Sequence, residues 1–417
     1  MNATQDAFAA LRYRDFSIVT LNQFCLTLAI LIQEIIVAYS LYKITKDPLT
    51  LGLIGLAEAI PYIALSLWGG YFADRFNKQT IMKICLFFAI PLPLVLWGLF
   101  HAYGLKHIEL STLSWGVYAV IFGLGTIRGF YNPSATSLKP FLIPREIYAN
   151  GATRTTIGWQ SGVIIGPMLG GLMLAFLGRE TSFISVAVLL SLCFLLVNLL
   201  SKRTFPKIET ERVLQSLGEG FRFIAKTKIV PWAISLDLVS VLFGGVIALL
   251  PIFAEDILKI GPEGLGYLRA APSIGALITM IALTRFPPTR HAWRNMLLAV
   301  AGFGLFTLLF AYSNYLWLSL FALAMTGACD SISVVIRQTI LQIYPPENMR
   351  GRVAAVNGMF VSSSNELGAF ESGLAAKYLG PVIATVFGGS MTLLVVAFSW
   401  AKTKDLFGVN ITQAEQK

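Results

Sequence analysis

The chain has 417 residues, 56% of them hydrophobic and only 13% charged, at a mean hydropathy of +0.70. A soluble domain carries about 25% charged residues, so the composition excludes a water-soluble globule and makes a lipid bilayer the solvent. The net charge of +10 would fit a nucleic-acid ligand, but the cations collect in loops on one side of the apolar runs, which explains them without nucleic acid.

Runs of roughly 20 apolar residues, enough to cross about 30 Å of hydrocarbon, predict an all-α membrane protein of twelve transmembrane helices. They are placed at 16–42, 49–72, 79–101, 113–136, 148–177, 181–201, 231–256, 263–285, 293–312, 315–341, 350–378 and 381–401. The first run is too long for a signal-peptide core and has no small-residue cleavage site, so no cleaved leader is expected. It carries Glu34. The second carries Glu58 just before Pro61, at a depth of about 14 Å by helical rise.

Between helices two and three the chain reads Gly70-Tyr71-Phe72-Ala73-Asp74-Arg75-Phe76-Asn77-Lys78. As a plain basic loop this segment only orients the protein. Read more sharply, the carboxylate at a helix end meets a neighbouring helix N-terminus or an Arg and forms a latch that breaks when the halves move. Asn77 is read as a residue that tolerates a left-handed turn. Helix four carries Arg128. In helix five, Gly162, Gly166 and Gly170 make a bare stripe for close helix approach, Pro167 removes a backbone donor and bends the helix, and Gly171 follows. Generic small-residue packing is the alternative reading of that stripe.

The polar stretch 201–228 separates six helices from six and contains a candidate amphipathic surface helix over 214–225. The expected organisation is an N-terminal six-helix bundle (1–200), a cytoplasmic linker (201–230) and a C-terminal six-helix bundle (231–417). The second half carries Asp237, Arg269, Asp330, Glu366 and Glu371 inside its helices. A charge at the bilayer centre costs roughly 2.5–3.5 kcal/mol. Glu34, Glu58, Arg128, Asp237, Arg269, Asp330, Glu366 and Glu371 are therefore expected to face a cavity or a partner. They are candidates for proton coupling or for lining the substrate cavity, with structural ion pairs as the other reading. Arg337, near a cytoplasmic helix end, is set aside as able to snorkel to water. The two halves also repeat. A shift of 202 lays Gly166 on Gly368, Gly171 on Gly373 and Arg128 on Asp330, while a shift of 211 lays Gly55 on Gly266, Pro61 on Pro272 and Glu58 on Arg269. Both repeats thus carry opposite charges on the same helix pair.

Cys25, Cys85, Cys193 and Cys329 fall inside apolar runs and read as small buried hydrophobes. His101, His107 and His291 have no metal-like spacing, and no Gly-rich loop ends in Lys-Ser or Lys-Thr, so no metal, cofactor or ATP is expected. Trp97, Trp115, Trp293 and Trp400 read as lipid-facing or interfacial anchors. The triplets Asn2-Ala3-Thr4 and Asn410-Ile411-Thr412 match a glycosylation pattern but fall on the cytoplasmic side. One face of the predicted topology keeps only Lys43, Lys46, Lys106, Arg179, Lys259 and Lys377 among the loop cations, so both termini are expected in the cytoplasm.

The Gly70–Lys78 loop resembles the signature of the major facilitator superfamily between helices two and three, with Asn77 where that family often has Gly. The segment Gly162–Gly171 resembles the motif of its proton antiporters. Leu11–Phe16, Asp237–Ala254, Gly266–Pro272, Met349–Asn357 and Ser364–Gly373 are similar to the branch that holds an enterobactin exporter and macrolide efflux proteins. The resemblance implies the two-bundle fold and secondary active transport. Its cargo would be an amphipathic small molecule, a siderophore or a drug, moved out by alternating access against protons. The setting it implies is a monomer in the bacterial inner membrane, whose partners are cargo, protons and bilayer. A proton-coupled importer or a lysolipid flippase on the same fold stays open. An enzyme would need clustered intramembrane His, Asp or Ser, and a channel would not need two latched halves.

Overall fold

The structure, a computed structural model, describes residues 8–201 and 213–409. The triplets at Asn2 and Asn410 and the cations Lys202, Arg203, Lys207, Arg212 and Lys417 lie outside them. The described residues form α1 (Arg14–Thr45), α2 (Leu49–Arg75), α3 (Lys78–Ala89), α4 (Pro91–Gly104), α5 (Leu110–Leu138), α6 (Tyr148–Phe176), α7 (Gly178–Asn198), α8 (Val213–Lys226), α9 (Ile229–Phe243) and α10 (Val246–Ile252). They continue with α11 (Gly261–Arg285), α12 (Ala292–Ala311), α13 (Leu316–Ile343), α14 (Glu347–Leu379) and α15 (Pro381–Lys402), and contain no strand.

Among the described residues eleven spans are long and apolar enough to cross a membrane, with α3 and α4 sharing Lys78–Gly104, and α9 and α10 sharing Ile229–Ile257. The chain is a multi-pass membrane protein. The remaining predicted span, α14, has 33 residues and is long enough, but Asn357, Asn365, Glu366 and Glu371 make it polar. Pro91 interrupts the third predicted helix because its nitrogen carries no hydrogen to donate, yet Ile90 keeps helical angles (φ −55, ψ −46). The seventh is broken more deeply. Gly244 N–H bonds the Ser240 carbonyl at 2.8 Å, Val246 N–H bonds the Gly244 carbonyl at 2.7 Å, and α10 then runs into a π-helical turn at Phe253–Ile257.

The described chain divides into two compact units. Unit 1 holds α1, the part of α2 from Ala57, α3 to α7, and Gly261–Gly266. Unit 2 holds Lys46–Leu56, α8 to α10, α11 from Tyr267, and α12 to α15. In unit 1 the Asn22 amide donates to the Tyr131 hydroxyl at 2.5 Å. Buried Asp15 accepts from Ser201 N–H at 3.2 Å and from its hydroxyl at 3.1 Å, tying the end of α7 to the start of α1. In unit 2 α8 takes the amphipathic form predicted for 214–225. Its Gly220 lies where a Cβ would stand 3.0 Å from the Arg352 carbonyl, Phe221 meets Phe360 with ring centroids 5.7 Å apart, and Glu219 pairs with Arg352.

Trp293 corrects one expectation. It is fully buried and donates Nε1–H to the Thr403 hydroxyl at 2.7 Å, so it is a core residue rather than an interfacial anchor. Trp115, by contrast, is 74% exposed. All four cysteines are free and buried. Just before α9 and just after α15, Lys228 donates to Asp405 and holds that carboxyl below the usual carboxylate range. Both side chains are exposed, so water screens the pair and it adds little stability.

Candidate transport site

In unit 1, α2 and α5 approach closely at Gly125, where a Cβ would stand under 3.0 Å from the Glu58 carbonyl oxygen and from Pro61. That approach brings Glu58 and Arg128 into an ion pair, with the guanidinium 5.4 Å above the Tyr62 ring. The Arg128 and Glu58 side chains are 31% and 15% exposed, so the pair keeps contact with the surroundings. Glu34, on α1 in the same unit, is half-buried.

Unit 2 repeats the helix crossing but not the ion pair. Gly327 and Gly275 bring α13 and α11 together as tightly, since a Cβ on Gly327 would collide with the Pro272 carbonyl and one on Gly275 with the Ala324 carbonyl. The charges at the corresponding positions nevertheless stay apart. Arg269 donates to the Ile247 carbonyl at 3.3 Å. Asp330 forms no hydrogen bond or ion pair among the described residues and lines a small cavity with Asp237. The opposite charges expected from the repeat therefore pair only in unit 1. Asp237 has another partner, Arg337, and the two side chains are 5% and 3% exposed. Arg337 does not snorkel. Asp330, Ser333 and Arg337 share one face of α13, and α9 closes over it. The i, i+3, i+7 spacing of these polar residues was the available signal. Glu366 is half-buried on α14, its Oε2 3.2 Å from where a Cβ of Gly55 would stand, and Glu371 is half-buried on the same helix.

The loop between α2 and α3 departs from its expected turn. Asn77 has φ −66 and ψ 117, and its side-chain oxygen accepts from Gln79 N–H at 2.9 Å and Thr80 N–H at 3.4 Å. It is the N-cap of α3, so the left-handed turn is not needed. Lys78 is buried and donates to the Ala73 carbonyl at 2.8 Å, satisfying an open carbonyl in the last turn of α2. Arg75 lies 4.4 Å above the Tyr71 ring. Asp74 is half-buried and has no hydrogen bond or ion pair among the described residues, and Gly70 faces open space. Since Lys78 and Asn77 hold the turn, Asp74→Asn is expected to leave folding within about 0.5 kcal/mol of wild type. It is expected to shift the balance between inward- and outward-open forms, read by cysteine accessibility from both faces. An unchanged balance would remove the latch role.

The glycine stripe of α6 packs against α1 instead of lipid. Cβ atoms on Gly162, Gly166 and Gly170 would stand 2.8 Å from Thr27, 3.0 Å from Leu31 and 3.1 Å from Ile32. Pro167 is buried on a neighbouring face, towards α11, where its carbonyl would be 2.7 Å from a Cβ on Gly266. Gly171 meets the Pro262 backbone as closely.

Each unit thus holds a crossing of two helices, one of them bearing a proline at the contact, with charged residues beside it. The family model described as Major Facilitator Superfamily matches residues 19–369. The chain belongs to that superfamily. Members are transporters, so this Major Facilitator Superfamily protein is not an enzyme. It is 25% identical to the multidrug efflux pump Tap of Mycolicibacterium fortuitum over 363 residues, covering 82% of this chain and 84% of Tap. Over 354 residues it is 25% identical to the enterobactin exporter EntS of Shigella boydii, covering 78% of this chain and 77% of EntS. Among solved structures, the nucleoside transporter NupG superposes with a TM-score of 0.70 at 14% identity, covering 97% of this chain and all of NupG. A bacterial homologue of the lysosomal transporter Spinster gives 0.69 at 16%, covering 94% and 96%. At those identities the structures speak for the fold alone.

Proposed function

We propose that this transporter is a secondary exporter that exchanges inward protons for an outgoing amphipathic small molecule, a siderophore or a drug. It sits in the bacterial inner membrane with both termini in the cytoplasm. Residues 1–200 and 231–417 are the bundles that alternate access, joined by 201–230. The observation that carries the reading is the Glu58–Arg128 pair, set mid-helix on α2 and α5 and still partly exposed. A carboxylate that is neither solvated fully nor sealed changes its proton affinity when its hydration or its distance from the guanidinium changes. Alternating access makes both changes in each cycle. The export direction and cargo class rest on the relatives, one an exporter of enterobactin and the other a multidrug efflux pump.

Purified protein in liposomes with an imposed pH gradient, offered a panel of siderophores and cationic drugs, tests the reading. Glu58→Gln is expected to bind and exchange cargo at near wild-type rates, because exchange moves no net proton. Uphill accumulation should fall at least tenfold. A variant that still concentrates cargo like the wild type would take the coupling away from Glu58.

A further inference from the structure

One face of unit 2 joins an exposed apolar stripe to a cluster of cations. On α15, Leu394, Phe398 and Lys402 stand at i, i+4 and i+8, so they share one side of the helix. Leu394 and Phe398 are 62% and 57% exposed inside a membrane-spanning segment, and Lys402, in its last turn, is exposed as well. The start of α9 repeats this order one helix away. Trp232 meets Phe398 with ring centroids 6.1 Å apart. Lys228 lies one turn before Trp232 and pairs with Asp405, just after α15. On both helices the apolar surface therefore ends in lysines.

The charges at this end do not balance. Asp405 is taken by Lys228, and Glu219 of α8 by Arg352. Lys402 and Lys404 are exposed and form no ion pair among the described residues, and the same holds for Arg222 and Lys226, one turn apart on α8. Arg290 and Arg294, which flank Trp293 in sequence, are likewise exposed and unpaired there. The chain around Lys402 and Lys404 is held in place. Phe407 packs on Trp400 with ring centroids 4.8 Å apart, the Thr403 hydroxyl accepts from buried Trp293 at 2.7 Å, and the Val409 carbonyl accepts from Ala292 N–H at 3.1 Å. A ligand of the two lysines therefore has only their side chains to order, which lowers the entropic cost of binding.

We propose that this face binds an anionic phospholipid, its phosphate on Lys402 and Lys404 and an acyl chain along Leu394, Phe398 and Trp232. Arg222 and Lys226 of α8 attract the neighbouring anionic headgroups. A soluble polyanion would use the cations and leave the apolar stripe without a role. A zwitterionic lipid would use the stripe but bring no net charge to the lysines. The carboxylate nearest to them in sequence, Asp405, is already neutralised by Lys228, so it does not oppose the phosphate. The site depends on neither the direction of transport nor the cargo.

Full-length protein in detergent, titrated with dioleoylphosphatidylglycerol or with dioleoylphosphatidylethanolamine and read by native mass spectrometry, tests the proposal. Wild type is expected to retain the anionic lipid about tenfold more tightly than the zwitterionic one. Lys402→Gln/Lys404→Gln should weaken phosphatidylglycerol binding by about fivefold per lysine, roughly twentyfold for the pair. Lys402→Arg/Lys404→Arg keeps the charge and should keep the affinity. Both lysines are exposed, so these changes leave folding intact. Lys106→Gln, between α4 and α5 in unit 1, is the control and should bind like the wild type. Phe398→Ser should weaken both lipids alike, because it removes acyl contact and no charge. Equal retention of the two lipids by wild type overturns the site, as does an unchanged phosphatidylglycerol affinity in Lys402→Gln/Lys404→Gln. Displacement of the lipid by an equal concentration of glycerol phosphate also overturns it, since a free phosphate would then suffice.

Discussion

Arg337→Met is expected to destabilise this protein by about 3–5 kcal/mol, the cost of leaving one member of a buried ion pair without its partner. The pair it breaks is almost wholly withdrawn from solvent, with side chains 3% and 5% exposed. Neither water nor salt can replace the lost guanidinium. The double variant Arg337→Met/Asp237→Leu should recover most of the loss, since a well-packed apolar pair of similar volume is commonly neutral or stabilising relative to a buried salt bridge. Chemical or thermal unfolding in one detergent, for the two singles and the double, completes the cycle. If Arg337→Met unfolds like the wild type, Asp237 has found solvent and the pair is not sealed. By the same logic Glu58→Gln should cost much less, because the Glu58–Arg128 pair is several times more exposed.

Gly327→Ala is expected to be nearly as damaging, through sterics alone. The added methyl would sit well under 3.0 Å from the Pro272 carbonyl oxygen, a backbone atom that no rotamer change can move. The α11–α13 crossing must open, and overpacking of this kind costs about 1–3 kcal/mol, more when backbone has to shift. Gly125→Ala should do the same to the α2–α5 crossing of unit 1, where the obstacle is the Glu58 carbonyl. Gly70→Ala and Gly358→Ala serve as controls, for their Cβ atoms would meet nothing within 4 Å. Unfolding midpoints and membrane expression levels of the four variants separate the cases. A wild-type midpoint for Gly327→Ala would mean that the two helices do not cross at that spacing.

The contrast between these glycines shows what a sequence read alone can reach. Span lengths follow from the thickness of hydrocarbon, so helix positions were legible to within a few residues, and the repeat of Pro61 on Pro272 marked both crossings. Side-chain partners were harder. The repeat aligns backbones, but whether Arg269 meets Asp330 depends on what else lies within reach, and the broken α9–α10 helix offers the Ile247 carbonyl instead. Arg337 was misjudged because its distance along the chain from a helix end says nothing of the helices packed around it. Trp293 was misjudged for the same reason. At Asn77 the residue type suits both a left-handed turn and an N-cap, and only the backbone angles choose between them. Ser333 was not singled out at all, since a lone serine in an apolar helix usually bonds back to its own backbone.

The break between α9 and α10 is wedged on every side. Methyl groups on Gly245, Gly368 and Gly388 would strike, respectively, the Ser372 hydroxyl and Gly368 backbone, the Val241 and Leu242 carbonyls, and the Phe243 carbonyl. These glycines sit on three different segments of the chain but occupy one crowded junction. Mutational drift can therefore lengthen the loops or exchange lipid-facing side chains at little cost, whereas a single extra carbon at the junction closes it. Homologues in which one of the three has become larger are expected to show an α10 that continues α9 without interruption, since the obstacles are largely backbone carbonyls that no side-chain exchange removes.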